Sequence, residues 1–70
     1  MALKKFGYTM SASGFGSKTY RYATKEEAKE QMKEDAVCTA AEYDGEMQDN
    51  GDEIVVVGRD GDEIARFEML

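Results

Sequence analysis

Seventy residues with nine Lys plus Arg, fifteen Asp plus Glu and no His carry a formal charge of −6, and a chain of this length holds one small domain with no room for a large substrate cavity. At 41% hydrophobic and 34% charged residues it is too apolar to be disordered on composition. The absence of His excludes Ser/His/Asp and Cys/His nucleophilic pairs and the usual imidazole-bearing zinc sites, and the single Cys38 excludes an intrachain disulfide.

The charge is polarised along the chain. Residues 1–25 hold Lys4, Lys5, Lys18, Arg21 and Lys25 and no acid, whereas all the acids lie in residues 26–70 against only Lys29, Lys33, Arg59 and Arg66. Such a chain either neutralises itself by bringing its halves together or displays a negative surface to a basic partner. No apolar run is long enough for a signal peptide or a membrane span, so the expectation is a soluble, cytoplasmic protein without a membrane partner.

Two period-two runs open the chain, Lys4 to Met10 and Lys18 to Tyr22, and predict a hairpin over residues 3–23. A register that sets Tyr8 opposite Tyr20 also sets Phe6 opposite Tyr22, gathering four aromatics on one face; such cross-strand pairs add about 0.2–1 kcal/mol each. The connection from Ser11 to Ser17 is small and glycine-bearing, as a turn between antiparallel neighbours requires.

Thr24-Lys25-Glu26-Glu27 is a capping box, with Glu26 and Glu27 at the positive end of the helix dipole. From there Ala28, Met32, Ala36, Thr39 or Ala40, and Tyr43 recur at spacings of three and four, which predicts a helix over 24–44 stopped by Asp44-Gly45. Residues 45–52 read as an acidic loop. Glu53 to Val57 has strong β propensity, and Asp60-Gly61 suits a two-residue turn that would pair Arg59 with Asp62, Val57 with Ile64, Val55 with Arg66 and Ile54 with Phe67 in a second hairpin over 53–69. Ile54, Val56, Ala65, Phe67 and Met69 then make the core face. The expected fold is α+β, a ββαββ arrangement in which an antiparallel sheet of two hairpins packs on one helix. The other face keeps Val55, Val57 and Ile64, a candidate patch for self-association framed by Arg59 and Arg66, or else ordinary scattered surface aliphatics.

No cofactor or metal is expected. Gly14-Phe15-Gly16-Ser17-Lys18-Thr19 has a faint phosphate-loop character, but the Gly-Lys adjacency is missing and a strand follows. Asp44, Glu46, Asp49, Asp52 and Glu53 offer oxygens to calcium at spacings that do not fit an EF-hand loop. Lys4, Lys5, Lys18 and Arg21 interleave with Phe6, Tyr8, Tyr20 and Tyr22, as in single-strand binders, yet the aromatic face is the one the helix needs and the net charge repels phosphate, so direct nucleic-acid binding is not expected. Paired carboxylates become catalytic only where a pocket separates their pKa values, and the reading is of a protein that is not an enzyme.

In size, acidity, freedom from cofactor motifs and ββαββ plan the chain resembles the small phage-encoded inhibitors of bacterial defence, the anti-CRISPR proteins. Thr24-Lys25-Glu26-Glu27-Ala28 at a helix start and Val57-Gly58-Arg59-Asp60-Gly61 in a last hairpin are also similar to small bacterial hairpin–helix–hairpin domains. The first resemblance implies an inhibitor whose carboxylates imitate nucleic-acid phosphates and occupy a basic nucleic-acid-binding effector. The residues expected to carry it are Glu26, Glu27, Glu30, Glu34 and Asp35 on the helix and Glu42, Asp44, Glu46, Asp49, Asp52 and Glu53 after it. The alternative is a structural interaction module without an inhibitory role that self-associates through a sheet edge or the Val55, Val57 and Ile64 patch, so the expected state is a monomer or, on this alternative, a homodimer.

Overall fold

A computed structural model describes residues 5–12, 14 and 16–70. The order is β1 (Phe6–Ala12), β2 (Gly16–Tyr22), α1 (Lys25–Glu42), β3 (Glu46–Asp49), β4 (Glu53–Val57) and β5 (Glu63–Met69). All five strands join one antiparallel sheet in the order β2-β1-β5-β4-β3, and α1 packs across one face of it. The α+β class is as expected, with one strand more.

The first hairpin pairs as its alternation predicts, Tyr8 with Tyr20 and Phe6 with Tyr22. Tyr8 is the centre of the aromatic group, its ring 5.2 Å from Tyr20, 6.1 Å from Tyr22 and 6.2 Å from Phe67. Phe6 does not join that group closely; it sits exposed at the sheet's end. Lys4, Ser13 and Phe15 lie outside the described residues; of the phosphate-loop segment, Gly16 to Thr19 belong to β2.

Helix α1 begins where its capping box places it, the Glu27 amide donating to Thr24 Oγ1 at 3.2 Å. Ala28, Met32, Ala36 and Ala40 form its buried stripe, and Met32, Ala36 and Ala40 close on Tyr8, Ile54, Val56, Ala65 and Phe67 from the sheet. Helix backbone ends at Glu42, and the left-handed residue that follows is Asp44, with φ 54°, not Gly45. Gly45 serves a different need, since a Cβ there would collide with the Val57 carbonyl oxygen. Aspartate tolerates the left-handed region better than most side chains, so the turn falls on it.

The expected acidic loop is overturned. Glu46 to Asp49 is a strand, paired with β4 from Glu46↔Val57 to Asp49↔Ile54. Met47 turns its side chain into the core, and the two-residue connection Gly51-Asp52 closes the hairpin through an Asn50 N–H donated to the Glu53 carbonyl at 2.8 Å. Gly51 has φ 91°, which is what the first position of a II′-type turn requires.

The last hairpin departs from the two-residue expectation twice, and the departures cancel. Gly58 N–H bonds the Asp62 carbonyl and Gly61 N–H the Gly58 carbonyl, so the loop is the three residues Arg59-Asp60-Gly61, with Gly61 at φ 84°. Val57 therefore faces Glu63, not Ile64. A bulge then lets Val56 pair with Ala65, which restores Val55↔Arg66 and Ile54↔Phe67. Ile64 is the extra residue, and it packs against the core beside Gly45 and Gly58. The proposed exposed patch is corrected accordingly: Val55 is buried, and Val57 and Ile64 are half-buried.

Candidate functional site

The structure sorts the candidate carboxylates into two groups. Four of them are engaged within the molecule. Asp35, half-buried on the flank of α1, accepts the Tyr8 hydroxyl proton at 2.9 Å. Burial, and then this bond, raise the Tyr8 pKa well above its ordinary value. Asp44 pairs with Arg59, Asp49 Oδ1 accepts the Gly51 amide at 2.9 Å, and Glu53 meets Arg66 at 3.2 Å. Arg66 also reaches Glu63 at 2.8 Å and lies 3.9 Å from Glu68, so three carboxylates converge on one guanidinium on the sheet face away from the helix. These partners hold the guanidinium proton more firmly than usual, Glu63 most of all.

The remaining seven are exposed and enter no ion pair among the described residues: Glu26, Glu27, Glu30, Glu34, Glu42, Glu46 and Asp52. Glu27, Glu30 and Glu34 follow one another at spacings of three and four, hence along one outward strip of α1, with Glu26 beside them. The inward stripe at Ala28, Met32 and Ala36 forces that orientation, because a helix that buries one side must turn the other to water. Beyond Glu34 the strip changes character, continuing through the exposed Val37 and Cys38. Glu46 is on β3 and Asp52 in the β3–β4 turn, at the margin of the sheet remote from β2. The acids thus lie in a helix strip, at Glu42 in the last turn of α1, and at the β3 margin of the sheet.

Of the two alternatives that the polarised sequence offers, compensation between its halves does not take the form of ion pairs among the described residues. Among the described residues Lys5, Lys18, Arg21 and Lys25 make none, and every pair found joins residues from the acidic half. The sheet order carries the polarity into space, with basic β2 at one margin and acidic β3 at the other.

A groove of about 600 Å³ opens between the last turns of α1 and the far end of β1, β2 and β5. Met10, Ala12, Tyr20, Thr39, Tyr43 and Ile64 line it, and Lys18, Glu42 and Glu63 stand on its rim. The two carboxylates there are exposed, not enclosed. Among the described residues no three His, Cys, Asp or Glu side chains are grouped to hold a metal ion, and no helix is long and apolar enough to cross a membrane.

Compared with known protein families, curated proteins and solved structures, the chain has no match.

Proposed function

We propose that this protein is a small, non-enzymatic binding protein whose acidic helix strip engages a basic surface of another protein, as an inhibitor of a nucleic-acid-handling effector of the anti-CRISPR kind. The observation that carries the reading is the contrast between carboxylates that serve the fold and Glu26, Glu27, Glu30 and Glu34, which are exposed and unpaired on one rigid helix. Consecutive turns of α-helix space such groups by about 5.4 Å, near enough to the repeat of a nucleic-acid strand for carboxylates to occupy sites built for phosphates. A basic channel would attract them from a distance and align them on arrival.

The test is affinity capture from a bacterial lysate at low and high salt, with the triple variant Glu27→Lys/Glu30→Lys/Glu34→Lys beside the native chain. The expected result is a basic nucleic-acid-binding protein, identified by mass spectrometry, that is retained at low salt and lost both at high salt and in the variant. Far-ultraviolet circular dichroism of the variant should match the native spectrum. Retention of the same protein by the folded variant would overturn the reading.

A further inference from the structure

The margin of the sheet opposite the acidic strand has its own recognition chemistry. β2 is a seven-residue edge strand without proline, exposed from Gly16 to Thr19 and again at Arg21. Which of its backbone groups are free follows from its neighbour. Leu70 donates its amide to the Gly7 carbonyl at 2.9 Å, so Gly7 turns its backbone groups toward β5 and away from β2. Arg21, opposite Gly7, therefore occupies a non-hydrogen-bonded position and directs its own N–H and C=O outward. By the alternation of the ladder, Thr19 and Ser17 do the same. Among the described residues nothing pairs with the outward backbone groups of these three, and they present a row of donors and acceptors, the template to which another extended chain can add.

Charge defines what can add. Lys18 and Arg21 are exposed on this strand, on opposite faces, with Lys25 at the start of the following helix and Lys5 just before β1, and none of them is in an ion pair among the described residues. No acid lies anywhere in the first 25 residues. We infer that the outer edge of β2 is a docking site for an extended, acid-bearing segment of a partner protein, which adds as a sixth strand with carboxylates set against Lys18 and Arg21. A second copy of the chain is the poorer occupant. Its acidic edge, β3, is a strand of only four residues, Glu46–Asp49, shorter than the Ser17-to-Arg21 row it would have to cover, and two molecules of charge −6 repel one another.

The experiment is an amide titration of the full, isotopically labelled chain with two blocked heptapeptides, one alternating glutamate with valine and the other lysine with valine. With the glutamate peptide, shifts should concentrate on β2 and exchange should slow at the Ser17, Thr19 and Arg21 amides. The lysine peptide should bind at least about tenfold more weakly, and Lys18→Glu/Arg21→Glu should reverse the preference. The helix variant Glu27→Lys/Glu30→Lys/Glu34→Lys, whose net charge is near zero, should bind the glutamate peptide no more weakly than the native chain and with its shifts still centred on β2, which separates this site from the acidic strip. Equal affinity for the two peptides, shifts centred on β3, no response at millimolar peptide, or protection of β2 that grows with protein concentration alone would each overturn the inference. Should the β2 variant fail to fold, the comparison of the two peptides on the native chain decides.

Discussion

Tyr8 does two jobs with one side chain. Its ring lies between Tyr20, Tyr22 and Phe67, and its hydroxyl donates to Asp35, so it joins the sheet to the helix through both packing and a hydrogen bond. Tyr8→Phe keeps the ring and removes the bond, leaving a half-buried carboxylate oxygen without its partner; the expected loss is about 1–2 kcal/mol, read as a lower urea midpoint with an unchanged slope. The raised pKa has a direction as well. The fold favours the neutral phenol, so this contribution is complete below the unfolded tyrosine value of about 10 and is lost as pH rises beyond it. Stability measured from pH 8 upward should therefore fall more steeply in the native chain than in Tyr8→Phe. Gly7, next in sequence, is required by space, since a Cβ there would fall on the Tyr20 carbonyl oxygen. Nothing in the local pattern announces this, because the collision depends on Tyr20 in the neighbouring strand β2.

Among the elements, α1 is the one most plainly written in the sequence. Thr24 and Glu27 mark its start, and the four-residue recurrence of Ala28, Met32, Ala36 and Ala40 states which side is buried. Its far end is less favourable: the last turn holds no cation, and Glu42 sits at the negative end of the dipole. Glu42→Lys should raise stability by about 0.3–1 kcal/mol in a denaturant melt while removing one of the candidate binding carboxylates, a gain in fold set against function. The hairpins show where local reading stops. The Tyr8–Tyr20 register is legible because it is the arrangement that also sets Phe6 opposite Tyr22 and so forms two aromatic pairs. β3 is hidden by composition, since Glu46, Gln48 and Asp49 read as loop residues; the signal that reveals it is Gly51-Asp52 between Met47 and Ile54, a turn placed between two inward apolar positions. The bulge at Ile64 is not legible locally, because a three-residue loop and one extra strand residue reach the same Ile54–Phe67 pairing as a two-residue loop with none.

At the level of the whole molecule, the separation of charge outlasts folding. Strand order sets the basic hairpin at one margin and the acidic strand at the other, and the ion pairs that do form, around Arg66 and at Arg59, lie within the acidic half. Those pairs are solvent-exposed, each worth about 0–1 kcal/mol, so salt costs little by screening them. It relieves more of the repulsion that accompanies a charge of −6. The melting temperature of the isolated protein should rise between 20 and 200 mM salt, and a complex made through the acidic strip should weaken over the same range. A melting temperature that falls with salt would mean that the ion pairs outweigh the repulsion. The candidate binding surfaces were legible only as residue types: sequence order names the acids, but it does not tell Asp35, which accepts from Tyr8, from Glu34, which is exposed.

The helix meets the sheet through three alanines and a single methionine. Small contacts bring the two layers close, and closeness leaves no slack: a longer side chain at 28, 36 or 40 would have to lift the helix as a body, while Met32 can bend to fit its neighbours. In a lineage free to change its carboxylates as partners change, those three alanines would drift least, so the oldest trait of the molecule would be the narrowness of its seam.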